Sequence, residues 1–203
     1  MKTGFVRELL GRSDYAIIGE IVEPGTKVLD LGCGEGELLE WLASNKGVDA
    51  RGVEISSAKV QKAIARGVSV FQCDIDEGLA DYPDEAFDYV ILSQTLQETR
   101  HPRKVLREML RVGRRAIVAF PNFGHWRVRL SMLFSGRAPR TSLFPYEWYE
   151  SPNIHFLTVH DFEALVGLES LVVERRYFLA GHRKVEWQPN LLAEVEVFLV
   201  RRG

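Results

Sequence analysis

Cysteine is scarce in this chain. Cys33 and Cys73 are the only two in 203 residues, too few for a disulfide framework and not spaced as metal ligands. An excess of one charge is lacking too: 26 Lys and Arg stand against 28 Asp and Glu, for a formal net charge of -2. No overall basic field therefore points to nucleic acid. No apolar run is long enough to span a bilayer, and the opening residues, Met1 to Glu8, lack the apolar core of a signal peptide. Repeats and low-complexity tracts are missing as well. Together these absences lead us to expect a cytoplasmic protein with reduced cysteines, no resident metal, and neither membrane nor nucleic acid as partner.

What is present is an ordinary globular composition, 46% hydrophobic and 27% charged, in a chain long enough to bury a real core. One domain is expected over residues 1–203. Within it we expect a core over 24–121, a helical and aromatic cap over 122–170 and a closing β-hairpin over 171–203. From Ser13 to Phe120 strand-like apolar runs alternate with helical patterns, the mark of right-handed β-α-β units and a parallel sheet. A leading helix over 14–22 stops at Pro24-Gly25. Strands are expected at 28–31, at 68–72, at 87–93 and at 116–120, with a further one, second in order, ending in 52–55. Helices are expected at 37–44, through Ala58, Val60 and Ile64, and at 102–112, the last with Val105, Leu106, Met109 and Leu110 on one face.

Beyond Pro121 the rhythm changes. A helical stretch over 126–134 ends at Gly136 and is followed by a long aromatic loop, 137–157. Thr158-Val159-His160-Asp161 has capping-box spacing and opens a short helix. Two β-rich segments, 171–178 and 195–200, joined by a polar loop over 182–190, predict a closing antiparallel pair. The fold expected is a Rossmann-like α/β architecture: a mainly parallel seven-stranded sheet with an antiparallel last strand and helices on both faces.

The chemistry gathers at strand ends. Val28-Leu29-Asp30-Leu31-Gly32-Cys33-Gly34-Glu35-Gly36 sets Gly32, Gly34 and Gly36 where the first strand turns into its helix, so that a ligand can approach the backbone. A dinucleotide fingerprint would read Gly-x-Gly-x-x-Gly and hold pyrophosphate at the helix N-terminus. This run is Gly-x-Gly-x-Gly, and the Asp30 carboxylate before it repels pyrophosphate while suiting an ammonium. S-adenosylmethionine carries both an ammonium and a sulfonium. Glu54, ending the second strand beside Ile55, can accept hydrogen bonds from both ribose hydroxyls. Asp74 after the third strand suits the adenine amino group, with Ile75 offering an apolar face to the ring. Ser93, Gln94 and Thr95 end the fourth strand, flanking the place of the reactive methyl. The expected cofactor site is thus Asp30, Gly32, Cys33, Gly34, Gly36, Glu54, Ile55, Asp74, Ile75, Ser93, Gln94 and Thr95, for S-adenosylmethionine or S-adenosylhomocysteine.

Over about 28–120 the chain resembles the class I S-adenosylmethionine-dependent methyltransferases. Over nearly its whole length it resembles the MetW family of methionine biosynthesis. The marks are the glycine run through Leu39, Ile91-Leu92-Ser93-Gln94-Thr95-Leu96-Gln97, Phe120-Pro121-Asn122-Phe123-Gly124-His125-Trp126 and Ser151-Pro152-Asn153-Ile154-His155. Glu35 stands where that family would be expected to carry Asp. The resemblance implies a role in methionine synthesis beside a homoserine O-acyltransferase as partner. The alternative is an active small-molecule methyltransferase; a nicotinamide oxidoreductase is disfavoured by Asp30 and the glycine spacing.

No catalytic residue is assigned. Methyl transfer from a sulfonium rests largely on placement, and a general base is optional. His125 and His155 are open between base, acceptor ligand and a hydrogen-bonded loop residue. Gln97 stands where many small-molecule methyltransferases carry His. Cys33 reads as a packed thiol rather than a nucleophile. The aromatic loop, with Phe144, Tyr146, Trp148, Tyr149 and Phe156, is open between a lid, a partner surface and a satellite core. Arg111, Arg114, Arg115, Arg127 and Arg129 are expected on a solvated face rather than in an RNA groove.

Overall fold

A computed structural model describes residues 12–203. Its centre is an eight-stranded sheet in the order β3-β2-β1-β4-β5-β8-β6-β7. The first helix, α1 (Ser13–Ile21), leads into β1 (Lys27–Leu31), α2 (Glu37–Lys46), β2 (Asp49–Glu54), α3 (Ser57–Ala65) and β3 (Ser69–Gln72). Then come β4 (Phe87–Ser93), a 3-10 turn at Leu96–Glu98, α4 (Pro102–Val112) and β5 (Gly113–Pro121). These first five strands are parallel neighbours. The central strands β1, β4 and β5 carry near-continuous apolar runs because both of their faces are buried: every residue of β4 except Asp88 is buried, whereas the edge strand β3 has no buried residue.

After β5 the chain forms α5 (Trp126–Ser135), a loop through 157, α6 (Val159–Leu168), β6 (Leu171–Ala180), β7 (Arg183–Lys184), a short α7 (Pro189–Leu192) and β8 (Val195–Arg202). The expected capping box opens α6: Thr158 accepts from the Asp161 amide while Asp161 accepts from the Thr158 amide. Strand β8 lies between β5 and β6 and runs antiparallel to both, so the closing antiparallel pair is present.

The strand count is a correction. Seven strands were expected and there are eight, because the polar loop after β6 folds back on itself. Gly181 has φ +56°, which lets Gly181-His182 form a two-residue turn. That turn pairs Ala180 with Arg183 and Leu179 with Lys184. The two-residue strand is too short to leave a hydrophobic pattern in the sequence.

Two apolar layers flank the sheet. One holds Leu106, Met109 and Leu110 of α4 and Phe162 of α6 against Val90, Leu92, Phe120 and Phe198. The other holds Ile17, Ile18 and Ile21 of α1 and Leu38, Leu39 and Leu42 of α2 against Val28, Ile91, Ile117 and Val197. Within the sheet sits Glu196, wholly buried between Phe120 of β5 and Phe178 of β6. Neither of its carboxyl oxygens has a hydrogen-bond partner among the described residues. Burial pushes its pKa well above the carboxylate range, so the group is held as the neutral acid. No helix among the described residues is long and apolar enough to cross a membrane.

Candidate cofactor site

In this sheet the chain reverses direction between β1 and β4: β2 and β3 lie to one side of β1, β4 and β5 to the other. Open α/β sheets form a crevice at that reversal, beyond the carboxyl ends of the strands. A cavity of about 550 Å³ occupies this place, with Gly32, Gly34, Glu54, Ile55, Asp74, Ile75, Ser93, Gln94 and Thr95 among its lining residues. The tertiary structure therefore brings together nine of the twelve residues expected at the site. Asp30, Cys33 and Gly36 do not line it.

Each of those three has a reason to stand back. Asp30 is buried behind the wall, and burial, opposed by Arg12 and reinforced by Asp14 and Glu54, pushes its carboxyl up to about 7. Cys33 is buried against the neighbouring strand: a Cβ on Gly52 would meet its Sγ at 2.5 Å. Burial also raises its thiol pKa, keeping it protonated and unreactive. Gly36 serves packing, since a Cβ there would meet the Ala63 Cβ at 3.0 Å and Val68 Cγ2 at 3.2 Å. It is the left-handed residue that starts α2, at φ +82°.

The other two glycines face the cavity in different ways. Gly32 has φ +73°, and a Cβ would meet Thr95 Oγ1 at 2.7 Å, so the loop closes tightly on the end of β4. At Gly34 an added Cβ would meet nothing within 4 Å. That open side is where a ligand can approach bare backbone.

Glu54 is the best-oriented acceptor of the wall. Its Oε2 accepts from the Gly34 amide at 3.0 Å and its Oε1 from the Ser56 amide at 2.9 Å. Each oxygen keeps one lone pair for a further donor. Asp74 accepts from the Asp76 amide at 2.9 Å and from Arg100 Nη2 at 2.9 Å. The Arg100 side chain is 68% exposed, so this ion pair is a weak competitor for a ligand. Ile55, 62% exposed, is a large apolar residue facing the cavity rather than the core. Gln94 takes φ +56°, uncommon for a residue with a side chain. Its amide bonds Ala119 O and its carbonyl accepts from Gln97 Nε2, so neighbouring strands hold the strained corner in place.

Sequence reasoning missed one end of the cavity. Arg12 and Tyr15, at the start of α1, line it. The Arg12 guanidinium pairs with Asp14 at 2.6 Å, donates to Tyr15 Oη at 2.9 Å and to Ser93 Oγ at 2.9 Å. Ser93 in turn donates to buried Asp14. Ser56, Lys59, Asp76, Glu98 and Arg100 also line the cavity, and burial raises the Glu98 pKa. No local motif marks Arg12: its contact to Ser93 spans 81 residues of sequence.

The histidines fall elsewhere. Buried His125 caps α5, its Nδ1 accepting from the Arg127 amide. Burial lowers its pKa, as suits an acceptor nitrogen. His155 is half-buried, its amide donating to Gln97 O and its Nε2 without partner among the described residues. Neither histidine lines the cavity, nor does buried Gln97. Arg111, Arg114 and Arg115 pair with Asp84 and Glu108, with Glu85 and Asp88, and with Glu174. These three arginines are thus ion-paired, while Arg127 and Arg129 lie on α5. Among the described residues no group of three or more His, Cys, Asp and Glu is placed to hold a metal.

Residues 12–200 match the model of a family described as methionine biosynthesis protein MetW. The chain belongs to this family. A curated relative, the bifunctional methionine biosynthesis protein MetXA/MetW of Rhodopirellula baltica, is 35% identical over 202 residues. The match covers 93% of this chain and 32% of the relative, so the chain spans about a third of that relative's length. Among solved structures, an S-adenosylmethionine-dependent methyltransferase from Mesorhizobium loti superposes with a TM-score of 0.71 at 16% identity, covering 95% of this chain and 99% of the other. The PH0226 protein of Pyrococcus horikoshii OT3 gives 0.70 at 18% identity, covering 100% and 93%. The fold of this MetW-family chain is therefore the Rossmann-like methyltransferase fold expected from its sequence.

Proposed function

We propose that this chain is an S-adenosylmethionine-binding protein of methionine biosynthesis that acts in the cytoplasm and supports a homoserine O-acyltransferase. The observation that carries the cofactor reading is Glu54: two backbone amides orient its carboxylate and leave one lone pair on each oxygen at the cavity wall. That is the acceptor a ribose diol needs. The rest of the wall fits the same ligand. Arg12 is a cation for the amino-acid carboxylate, the buried Asp30 charge lies behind the wall for the ammonium, and Ile55 and Ile75 are apolar faces for adenine. Gly34 gives the backbone room. Glu35 and Glu37 among the lining residues disfavour a pyrophosphate, and with it the nicotinamide reading.

Bound S-adenosylmethionine supplies an activated methyl group; the chain's own residues would orient it. The partnership is supported by the relative that carries MetXA and MetW in one chain.

The first test is thermal. A ligand at one hundred times its dissociation constant stabilises by about 2.7 kcal/mol, which raises the melting temperature of a domain this size by roughly 5–10 °C. S-adenosylmethionine or S-adenosylhomocysteine should give this shift and NAD should not; the reverse pattern overturns the cofactor reading. The second is an acylation assay with purified acyltransferase, with and without this chain. An enzyme fully active alone and showing no association overturns the partnership. A methylated small molecule detected in that assay would make methyl transfer the better reading.

A further inference from the structure

Helix α5 has an apolar face that no described residue covers. Its one buried residue is Val128, packed in a small cluster with Phe123 and Phe144. Its other large side chains face solvent: Leu130 is 40% exposed, Met132 53%, Leu133 73% and Phe134 81%. Trp126, Leu130 and Phe134 recur every fourth residue, so they form one stripe along the helix, and they line a shallow hollow. Just past the helix end, Arg137, Arg140, Tyr146 and Trp148 line a second hollow together with one acid, Glu147, which pairs with Arg140. Proteins that work alone rarely leave contiguous apolar patches larger than a few hundred Å². Aromatic residues, Met and Arg are also the types enriched where proteins meet.

The charge of this region is as distinctive as its hydropathy. From Ala116 to Tyr146 there is no Asp or Glu, while Arg127, Arg129, Arg137 and Arg140 all fall in that stretch. The net charge of the whole chain is nevertheless -2. A complementary surface is apolar at its centre and acidic at its rim.

We infer that α5 and the Arg137–Trp148 hollow form the surface that docks on the homoserine O-acyltransferase, through an apolar patch rimmed by carboxylates. This rests on the partnership proposed above and assigns its place on this chain. Two other occupants fit less well. A second copy joined by a two-fold axis would set this arginine rim against itself, and like charges across an interface are costly. An anionic membrane would use the same stripe and the same arginines; the protein partner is preferred because a relative carries MetXA and MetW in one chain. No residue of α5 or of the second hollow lines the cofactor cavity, so docking here leaves the cavity accessible.

The test uses the full chain and the purified acyltransferase in a calorimetric titration. The double substitution Leu133→Ser, Phe134→Ser and the single Trp148→Ala should each weaken binding by about tenfold or more, as truncated interface anchors do. Arg137→Glu should weaken it most at low salt. All variants should keep the wild-type melting temperature and S-adenosylmethionine affinity, since the altered side chains are exposed and away from the cavity. No binding by the wild-type chain would defeat the partnership itself. Wild-type binding with unaffected variants would overturn the surface assignment while leaving the partnership standing. A wild-type dimer that the double variant dissolves would also overturn the assignment, in favour of a second copy. Capture by phosphatidylglycerol vesicles, lost in the double variant, would overturn it in favour of lipid.

Discussion

Helices α4 and α5 follow neighbouring parallel strands, β4 and β5, yet treat their apolar side chains in opposite ways. The first buries Val105, Leu106, Met109, Leu110 and Val112 and turns its charges outward, where Arg103 and Arg107 pair with Glu169 and Arg111 with Asp84. The second buries Val128 alone and turns Leu130, Met132, Leu133 and Phe134 to solvent. Apolar content does not separate them; what lies beneath does. Helix α4 rests on the face of β4 and β5, so its stripe leaves water. Helix α5 begins beyond the carboxyl end of β5 and packs Val128 against only two other buried residues, Phe123 and Phe144, with too little surface under it to cover more than one side chain.

The sharpest way to break this contrast is to truncate one leucine from each helix. Leu106→Ala should cost about 2–5 kcal/mol, as a fully buried leucine does, whereas Leu133→Ala should change stability by less than about 0.5 kcal/mol. Denaturant unfolding of both variants measures it, and equal losses would mean that α5 is covered in the folded chain.

The cavity and the α5 face should also separate in their ligands. Glu54→Gln should weaken S-adenosylmethionine binding by about 1–3 kcal/mol. Affinity for the acyltransferase, measured without cofactor, should not change. A parallel loss of both would join the two surfaces into one site.

Next comes Glu196, whose carboxyl has no hydrogen-bond partner among the described residues. Its folded pKa lies above the unfolded one. Its contribution to stability is therefore complete below the usual carboxylate range and declines as pH rises above it. Glu196→Gln should remove that decline, so that the variant gains stability relative to wild type as pH rises through and above the carboxylate range. Unfolding curves at several pH values give the answer, and parallel profiles would mean that the carboxyl has found a partner.

The smallest effect concerns Asp30. With its carboxyl at about 7, a cationic ligand should bind about tenfold more tightly at pH 8 than at pH 6, as the acid ionises. Asp30→Asn should flatten that profile. An unchanged slope would show that the ligand does not sense this charge.

The β1–β5 core was legible because it is local. Strands buried on both faces appear as continuous apolar runs, glycines and carboxylates punctuate their ends, and α4 declares itself by spacing alone. Nine of the residues that line the cavity could be named because each lies at or just past the end of its strand, and the fold sets successive strand ends side by side. The capping box of α6 was readable for the same reason, since its partners stand three residues apart. The eighth strand was not: two residues carry no periodicity, and a turn at Gly181 creates the pairing.

By itself, then, the sequence determined the parallel sheet, the antiparallel closing pair and the run of polar groups along one end of the core. Hydrophobic period and strand-end chemistry are properties of short segments. Tertiary structure alone decided which of those groups face a common cavity. It withdrew Asp30 behind the wall, turned Cys33 against Gly52, made His125 a helix cap and brought Arg12 to Ser93 across 81 residues. It alone also showed that the apolar stripe of α5 lies uncovered among the described residues. Burial depends on which surfaces the folded chain brings into contact, and no window of sequence contains both sides of such a contact.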